Sequence, residues 1–268
     1  MSPPSWQQLV HNPQEERHIV QLYREPAFLV KAVSSWIGPA LRDGGGALLL
    51  STPENADLLR GGLAAEGLDA SALEREGRLV VLDAQETLTR FMVKGAPDPA
   101  RFRPLIESHV ARLRAACPAP GAGLRAWGEM VNLLFHGGNA AGAEALELLW
   151  AEVVHEQNLR LLCSYQVDNL DPSTHAGPLK GLCAGHSHLI PEEDEERFDL
   201  ALSRALVDVF GAKEAATVRA LFQTRQSIPV AMPPSEAVLV ALHELQPVIG
   251  QRVLRATRLH LASLGGAV

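Results

Sequence analysis

The chain has 268 residues, of which 47% are hydrophobic and 21% are charged, and its formal net charge is −7. A chain of this length and composition is expected to form one large globular domain, or one domain with an appendage, and general disorder is excluded. The acidic balance and an aromatic content of 5% disfavour a nucleic-acid-binding surface, which is usually basic and often uses aromatic stacking.

The sequence predicts a cytoplasmic protein without a membrane partner. Its apolar runs are too short for a transmembrane helix, and the first 17 residues lack the basic segment and apolar core of a signal peptide. The three cysteines, Cys117, Cys163 and Cys183, form an odd and sparse set. Such a set is typical of a reducing compartment in which the protein has no structural disulfides.

The first predicted elements are a strand, a helix and a second strand. Residues 18–23 form a short apolar strand, residues 28–41 carry a wide apolar helical face, and residues 47–50 are an unbroken apolar run, typical of a strand in a parallel sheet. Residues 24–26 (Arg-Glu-Pro) occupy the place of a phosphate-binding loop, and the pattern GxxxxGK[ST] is absent. This stretch therefore predicts the scaffold of a nucleotide-binding fold without the phosphate-binding loop.

Strands and helices continue to alternate up to about residue 190. The predicted strands are 78–83, 124–130 and 159–167, and the predicted helices are 53–67, 85–94, 99–117 and 141–158, with a helical turn at 68–77. This alternation predicts the α/β class, with a mostly parallel sheet flanked by helices.

An acidic segment at 191–196 separates this region from a part of the chain predicted to be helical. Helices are expected at 198–210, at 213–224 and, capped by Ser235 and kinked by Pro247, at 235–264. Their apolar faces must be buried within the chain or in a homodimer through this tail. The predicted division is a loosely held arm (1–17), an α/β domain (18–192) and a helical appendage (193–268).

Segments of the chain resemble, in their order, the MEDS family, the sensory domain described in methanogens and methylotrophs and in a dichloromethane-responsive repressor. These are HIVQLY, GGGALLLSTPEN, LEREGRLVVLDAQETL, GLRAWGEM and LLCSYQ with the histidine-bearing segment after it, which together cover about residues 17 to 192. The resemblance implies a RecA/KaiC-like fold without a phosphate loop. It also implies an intracellular sensor of small, hydrocarbon-like molecules, often fused to a DNA-binding or histidine-kinase output.

The sequence departs from that family pattern in its output. No helix-turn-helix is recognised ahead of His18, and no kinase motif follows residue 192. The expected output is therefore the helical tail or a separate partner protein.

Candidate ligand-binding residues flank the predicted strands, because open α/β sheets bind ligands at the carboxyl ends of their strands. Glu129 suits a general base, a ligand-orienting group or a structural acceptor, and without a phosphate loop we favour the last two. Arg125 is expected to pair with a carboxylate, in the site or in a simple salt bridge. His18 and Tyr23 should face opposite sides of their strand, and each is also suited to a satisfied, partly buried position. The full set is His18, Tyr23, Glu54, Arg125, Trp127, Glu129 and Tyr165.

A second set of residues has the side-chain types that bind Zn²⁺, namely Cys163, Cys183, His186 and His188. Their spacing is not that of a recognised zinc knuckle, and a cysteine in an apolar strand commonly packs as a small hydrophobe. We therefore expect no cofactor, with zinc as the alternative. Tyr165 should share a strand face with Cys163.

The predicted function is that of a non-enzymatic sensor or adaptor in signal transduction. It would bind a small-molecule effector or a signalling protein on the α/β domain and relay the event through the helical tail. The sequence has neither a GxSxG nucleophile motif nor a recognisable catalytic triad. The alternatives are a divergent ATPase or metal-dependent hydrolase, and a purely structural interaction scaffold.

Overall fold

The fold is a parallel sheet with helices on both faces, followed by a group of helices. The computed structural model describes residues 6–11, 18–118, 123–175, 185–223 and 230–265. The strands within these ranges are β1 His18–Tyr23, β2 Gly46–Ser51, β3 Leu79–Asp83, β4 Met92–Val93, β5 Ala96–Pro97, β6 Leu124–Gly128, β7 Leu159–Gln166 and β8 His188–Ile190. The predicted α/β class, with its mostly parallel sheet and C-terminal helical region, is confirmed; the relation to RecA- and KaiC-like ATPases stays a prediction.

Six of these strands form one parallel sheet in the order β3-β2-β6-β7-β1-β8, and β4 pairs with β5 in a small antiparallel hairpin. In the centre of the sheet, β1 lies beside β7 with Val20 opposite Cys163 and Leu22 opposite Tyr165. Strand β1 is thus paired with β7, which lies more than a hundred residues later in the chain.

Helices precede, separate and follow the strands. They are α1 Trp6–His11, α2 Pro26–Arg42, α3 Pro53–Ala65, α4 Ala70–Arg75, α5 Ala84–Phe91, α6 Pro99–Ala116, α7 Met130–His136, α8 Ala140–Glu156, α9 Pro172–His175, α10 Glu195–Phe210, α11 Ala212–Phe222, α12 Pro234–Leu245 and α13 Pro247–Gly265. None of the described helices is both long and apolar enough to cross a lipid bilayer.

Short polar side chains fix where several of these helices begin. Asp69, Asp83 and Asp98 each accept a hydrogen bond from a backbone N–H in the first turn of the helix that follows. Asn139 caps α8 in the same way. These caps satisfy N–H groups that a helix cannot pair internally, so the element boundaries follow from local sequence.

Two apolar cores cover the two faces of the sheet. One is formed with α5, α6, α7 and α8, and the other with α1, α2, α3 and α4. The described part of the N-terminal arm is therefore not loosely held: Trp6 and Val10 are buried, and the Trp6 indole donates to the Glu193 carbonyl at 2.8 Å. The arm has apolar residues at helical spacing, which packing against α2 stabilises.

The tail has a third apolar core, in which α10 packs mainly against α13. The predicted single helix at 235–264 is wrong, because Pro247 does not kink a continuous helix but begins a new one after an extended Gln246. Proline disfavours a helical conformation in the residue before it. Ser235 is not the cap either: it lies inside α12 and donates to Asp199.

Helix α12 joins the tail to the sheet domain. Its residues Val238 and Leu242 belong to the tail core, whereas Ala237 and Val240 belong to the core on the α8 side of the sheet. The tail therefore packs within the chain, and its faces contact both cores.

Candidate functional site

Four side chains with nitrogen, oxygen or sulfur donors meet on the α8 side of the sheet. His18 begins β1, Cys163 lies on the adjacent β7, Glu147 is midway along α8, and His186 precedes β8. All four are buried, and one donor atom from each lies within 4.8 Å of the others. We call these four residues the buried cluster.

The carboxylate of Glu147 is at the centre of the buried cluster. Its Oε2 atom lies 3.2 Å from His18 Nε2, 3.4 Å from His186 Nε2 and 3.3 Å from Cys163 Sγ. His18 Nε2 is also 3.4 Å from Cys163 Sγ. The other carboxylate oxygen, Oε1, accepts a hydrogen bond of 2.7 Å from the Tyr165 hydroxyl. Oε1 is thus held by the tyrosine hydroxyl, while Oε2 faces two imidazole nitrogens and one sulfur, each of which could bind a metal ion.

Burial and mutual interaction shift the pKa values in the cluster. Burial, and next the neighbouring His186, lower the pKa of His18 to about 4. Burial alone would raise the pKa of Glu147, but His186 and His18 outweigh it and hold that pKa below its ordinary value. Burial and the Glu147 carboxylate raise the pKa of the Cys163 thiol well above its ordinary value. At neutral pH the site therefore combines an ionised carboxylate, a neutral His18 imidazole and a protonated thiol.

A second polar network surrounds Glu129 at the carboxyl edge of β2 and β6. Glu129 Oε1 accepts hydrogen bonds from the Thr52 backbone N–H, from the Thr52 hydroxyl at 3.0 Å and from the Ser51 hydroxyl at 3.2 Å. Its Oε2 accepts from the Asn55 amide at 2.7 Å. Tyr23 borders this network, and burial followed by the Glu129 charge raises its pKa. This arrangement ties the β2–α3 turn to the end of β6, in keeping with a structural role for Glu129.

Two other candidates, Trp127 and Glu54, lie apart from both groups. Trp127 is fully buried, and its indole donates to the Ser164 hydroxyl at 2.9 Å. Glu54 is exposed in the first turn of α3, where the adjacent Asn55 makes the contact with Glu129. Ligand binding by Tyr23, Glu54, Trp127 and Glu129 stays a prediction.

The expected pairing of Arg125 with a carboxylate is wrong for the part of the chain that the structure describes. Its guanidinium donates to the carbonyl oxygens of Val10 at 2.7 Å, His11 at 3.1 Å and Trp36, and lies 5.0 Å from the Trp36 ring centroid. Burial lowers the pKa of Arg125 to about 10. Arg125 therefore holds α1 and α2 together, because these helices turn carbonyl groups towards it.

The structure divides the predicted metal-binding set. Cys163 and His186 join the buried cluster, whereas His188 is half-buried on β8 with Nδ1 3.2 Å from the Ser187 hydroxyl. Cys183 lies outside the described residues. His18 and Tyr165, predicted as ligand-binding residues, contact this group instead of the carboxyl edge of the sheet.

Glu147 was missed by the sequence analysis. It occupies a buried position of α8, in line with Ala143, Trp150 and Val154 at helical spacing. An acidic residue within an apolar helical face is the signal that would have found it, because carboxylates are almost never fully buried without a partner.

Acidic residues occupy the sheet edge where the missing phosphate loop would lie. Glu192 accepts from Arg24 at 2.9 Å and Glu193 from Lys31 at 2.8 Å, beside the N-terminus of α2. A cavity of about 250 Å³ lies there, lined by residues that include Arg24, Phe28, Glu192 and Arg197. Arg24 and Lys31, the basic residues nearest the N-terminus of α2, are thus paired with carboxylates in this structure.

One family comparison bears on this site. The family model described as MEDS, the methanogen/methylotroph, DcmR sensory domain, matches residues 17–179, which is more than half of the chain. The matched span contains His18, Glu147, Cys163 and Tyr165, and ends before His186 and the tail helices. No curated protein matches the sequence.

Proposed function

Because the chain belongs to the MEDS family of sensory domains, we propose that the buried cluster of His18, Glu147, Cys163 and His186 is its sensing site and that the tail helices relay the signal. The family gives the chain a sensory role in signalling. The finer proposal is that the protein is a non-enzymatic sensor of a small effector, with its input on the sheet and its output on the tail.

A single observation carries this proposal: the segment that supplies His186 is hydrogen-bonded both to the sheet and to the tail. The backbone N–H of Ser187 donates to the His18 carbonyl at 2.8 Å. On its other side, Ala231 N–H donates to the Ser187 carbonyl at 2.9 Å, and Leu189 N–H donates to the Ala231 carbonyl at 2.8 Å. Ala231 is three residues ahead of α12, so a shift of His186 is passed to the tail through a short backbone path.

The burial of the cluster favours a small effector over a protein partner. His18 and His186 are each 5% exposed, and Glu147 is fully buried. A protein surface cannot reach such groups, whereas an ion or a very small molecule can. The acidic residues beside α2 also support a role other than nucleotide hydrolysis, because phosphate binding at a helix N-terminus needs donors and positive charge.

Hydrogen exchange of the full-length protein with and without the substitution Glu147→Gln tests the relay. Loss of the central charge should loosen the His186 segment, so peptides from residues 230–245 should exchange faster, while peptides from α5 and α6 should be unchanged. The matched control is Glu86→Gln, an exposed glutamate on α5. Equal exchange at 230–245 in all three proteins, or a uniform increase along the chain, would refute the relay.

A further inference from the structure

We propose that the buried cluster binds one Zn²⁺ ion through His18, Glu147, Cys163 and His186. The proposal deepens the proposed function and rests on the same site, since it names what that site holds. The sequence pattern indicates His18 as a candidate ligand-binding residue and Cys163 and His186 as candidate metal ligands. Glu147 was not predicted for either role.

The chemistry of the four donors suits zinc. Two imidazole nitrogens, a thiolate sulfur and a carboxylate oxygen are the ligand types of protein zinc sites, and a mixed set of borderline and soft donors is poorly suited to Mg²⁺ or Ca²⁺. The four residues come from β1, β7, α8 and the segment ahead of β8, so the ion would join separate parts of the domain.

The distances from the two histidines to the Glu147 carboxylate fit the edges of a zinc tetrahedron better than they fit charge-assisted hydrogen bonds. With bonds of about 2.0–2.3 Å, a tetrahedral ion requires ligand atoms about 3.3–3.7 Å apart. The two histidine–carboxylate distances are 3.2 and 3.4 Å, and the two distances to Cys163 Sγ are 3.3 and 3.4 Å. Charge-assisted N–H···O hydrogen bonds are about 2.7–2.9 Å, which is shorter than either histidine contact.

His186 supplies an independent sign that a ligand is needed. Its side chain is 0% exposed, and neither ring nitrogen has a hydrogen-bond partner among the described residues. Burial of a polar group without a hydrogen-bond partner costs free energy, and the Glu147 carboxylate beside it is also fully buried. A divalent cation would satisfy both groups at once, and on binding it would displace the Cys163 thiol proton into solvent.

The surroundings of Glu147 favour a fixed ligand geometry. The Tyr165 hydroxyl holds Oε1 at 2.7 Å, which leaves Oε2 to face the two histidines and the thiol. Partners of this kind orient a ligand and commonly contribute about 10–100-fold to metal affinity. A site with four protein ligands is closed, as in structural zinc sites, whereas catalytic zinc sites keep a position for water. This favours a sensing or structural ion over a hydrolytic one.

The test is metal binding by the full-length protein, with His186→Ala compared with His188→Ala. These histidines are two residues apart, but only His186 belongs to the cluster. After chelator treatment and gel filtration in the presence of Zn²⁺, elemental analysis should give about one ion per chain for the unchanged protein and for His188→Ala. His186→Ala should bind at least about 10-fold more weakly.

Two further variants keep the test decisive if His186→Ala folds poorly. Tyr165→Phe retains all four donors and should lower zinc affinity by about 10-fold. With Co²⁺ as the probe, a thiolate-to-metal charge-transfer band should appear, disappear in Cys163→Ser and persist in Cys117→Ser, since Cys117 lies at the end of α6 with its thiol on the Leu113 carbonyl. Circular dichroism confirms that each variant is folded.

The outcomes separate this inference from the proposed function. Folded protein that binds no zinc, or that binds equally in His186→Ala and His188→Ala, would show a structural hydrogen-bond network only and overturn the zinc site, even if exchange at 230–245 still responds to Glu147→Gln. Zinc bound as expected with no exchange response in the tail would support the site and refute the relay.

Discussion

Glu129 and Glu147 are both buried carboxylates of the sheet domain, but their neighbours are opposite in kind. Glu129 is surrounded by hydrogen-bond donors from Ser51, Thr52 and Asn55. Glu147 accepts a short hydrogen bond from the Tyr165 hydroxyl and a longer one from the Cys163 thiol, and otherwise faces two histidine nitrogens that could bind a metal. A carboxylate whose lone pairs are all used by donors is already stabilised, whereas a carboxylate among other electron-pair donors calls for a cation.

Both carboxylates are buried, so only the difference in their partners supports the structural role proposed for Glu129 and the ion-binding role proposed for Glu147. The sequence pattern predicts Glu129 at the edge where ligands bind and gives no corresponding signal for Glu147. The donors of the β2–α3 turn bind both carboxylate oxygens of Glu129, which supports a structural role for it, while ligand binding by Glu129 stays a prediction.

The largest effect is expected for Glu129→Ala, which leaves several donors of the β2–α3 turn without their acceptor. We expect a loss of about 3 kcal/mol in the free energy of unfolding, measured by urea denaturation, and no recovery with added zinc. Glu144→Ala, an exposed position on α8, is the control and should change stability by less than about 0.5 kcal/mol. A loss for Glu129→Ala as small as that of the control would contradict the comparison.

Zinc should stabilise the unchanged protein and have no effect on Glu147→Gln. An ion that binds only the folded state at about 100 times its Kd contributes about 2.7 kcal/mol, which for a chain of this size raises Tm by roughly 5–10 °C. Metal-free Glu147→Gln should be less stable than the metal-free parent, because it removes the charged partner of two buried histidines that stay in place. Calorimetry with and without zinc, with Glu144→Gln as the control, measures both quantities. An equal rise of Tm in Glu147→Gln would place the ion elsewhere.

A third buried carboxylate, Glu236 on α12, extends the comparison. Among the described residues, it has neither the several hydrogen-bond donors that surround Glu129 nor the histidines and thiol that surround Glu147. Burial, and next the Glu192 carboxylate, raise the pKa of Glu236 to about 8, with Asn169 opposing the shift. The folded protein therefore binds a proton that the unfolded chain loses near pH 4.5, so stability falls as pH rises from about 4.5 through 8.

Glu236→Gln should remove that part of the pH dependence. Between pH 6.5 and pH 9 the unchanged protein should lose about 2 kcal/mol more of its free energy of unfolding than the variant does. Urea denaturation at a series of pH values measures the difference, with Glu144→Gln as the control. Parallel curves for the parent and Glu236→Gln would show that Glu236 is ionised in the folded protein.

The smallest effects concern the two neighbours at the start of α3. Asn55→Ala should cost about 1.5 kcal/mol, because it removes a hydrogen bond to a charged acceptor, whereas Glu54→Ala should cost about 0.3 kcal/mol for a favourable charge at a helix N-terminus. Urea denaturation of both variants decides the order. The reverse order would contradict a stabilising hydrogen bond from Asn55 to Glu129.

The sheet was predictable because its signals are local. The apolar runs at β1, β2 and β7, and the aspartates that begin α4, α5 and α6, each act within a few residues. Helix α7 was missed, since residue 129 was assigned to the preceding strand and the helix begins without a side-chain cap. Strand order was not predictable in this way, because it depends on packing between distant elements.

The same limit explains what was missed in the site. His18, Cys163, Tyr165 and His186 were each noticed, but His18 and Cys163 become neighbours only when β1 pairs with β7. The spacing of ligands along the chain therefore does not resemble a zinc knuckle, although the donors converge in space. Glu147 adds a helix to the site, which no spacing rule along a strand could include.

The contact of Ala231 with β8 also closes an exposed edge of the sheet. Strand β8 is the last strand on that side of the sheet. In an open edge the Leu189 N–H could pair with another chain, but here it donates to the Ala231 carbonyl. Unpaired edge strands with apolar residues promote edge-to-edge aggregation. If the tail detached completely during signalling, this edge with Leu189 and Ile190 would be open to other chains. A response of the kind proposed would therefore have to move the tail without releasing Ala231, and this contact would limit how far the tail moves.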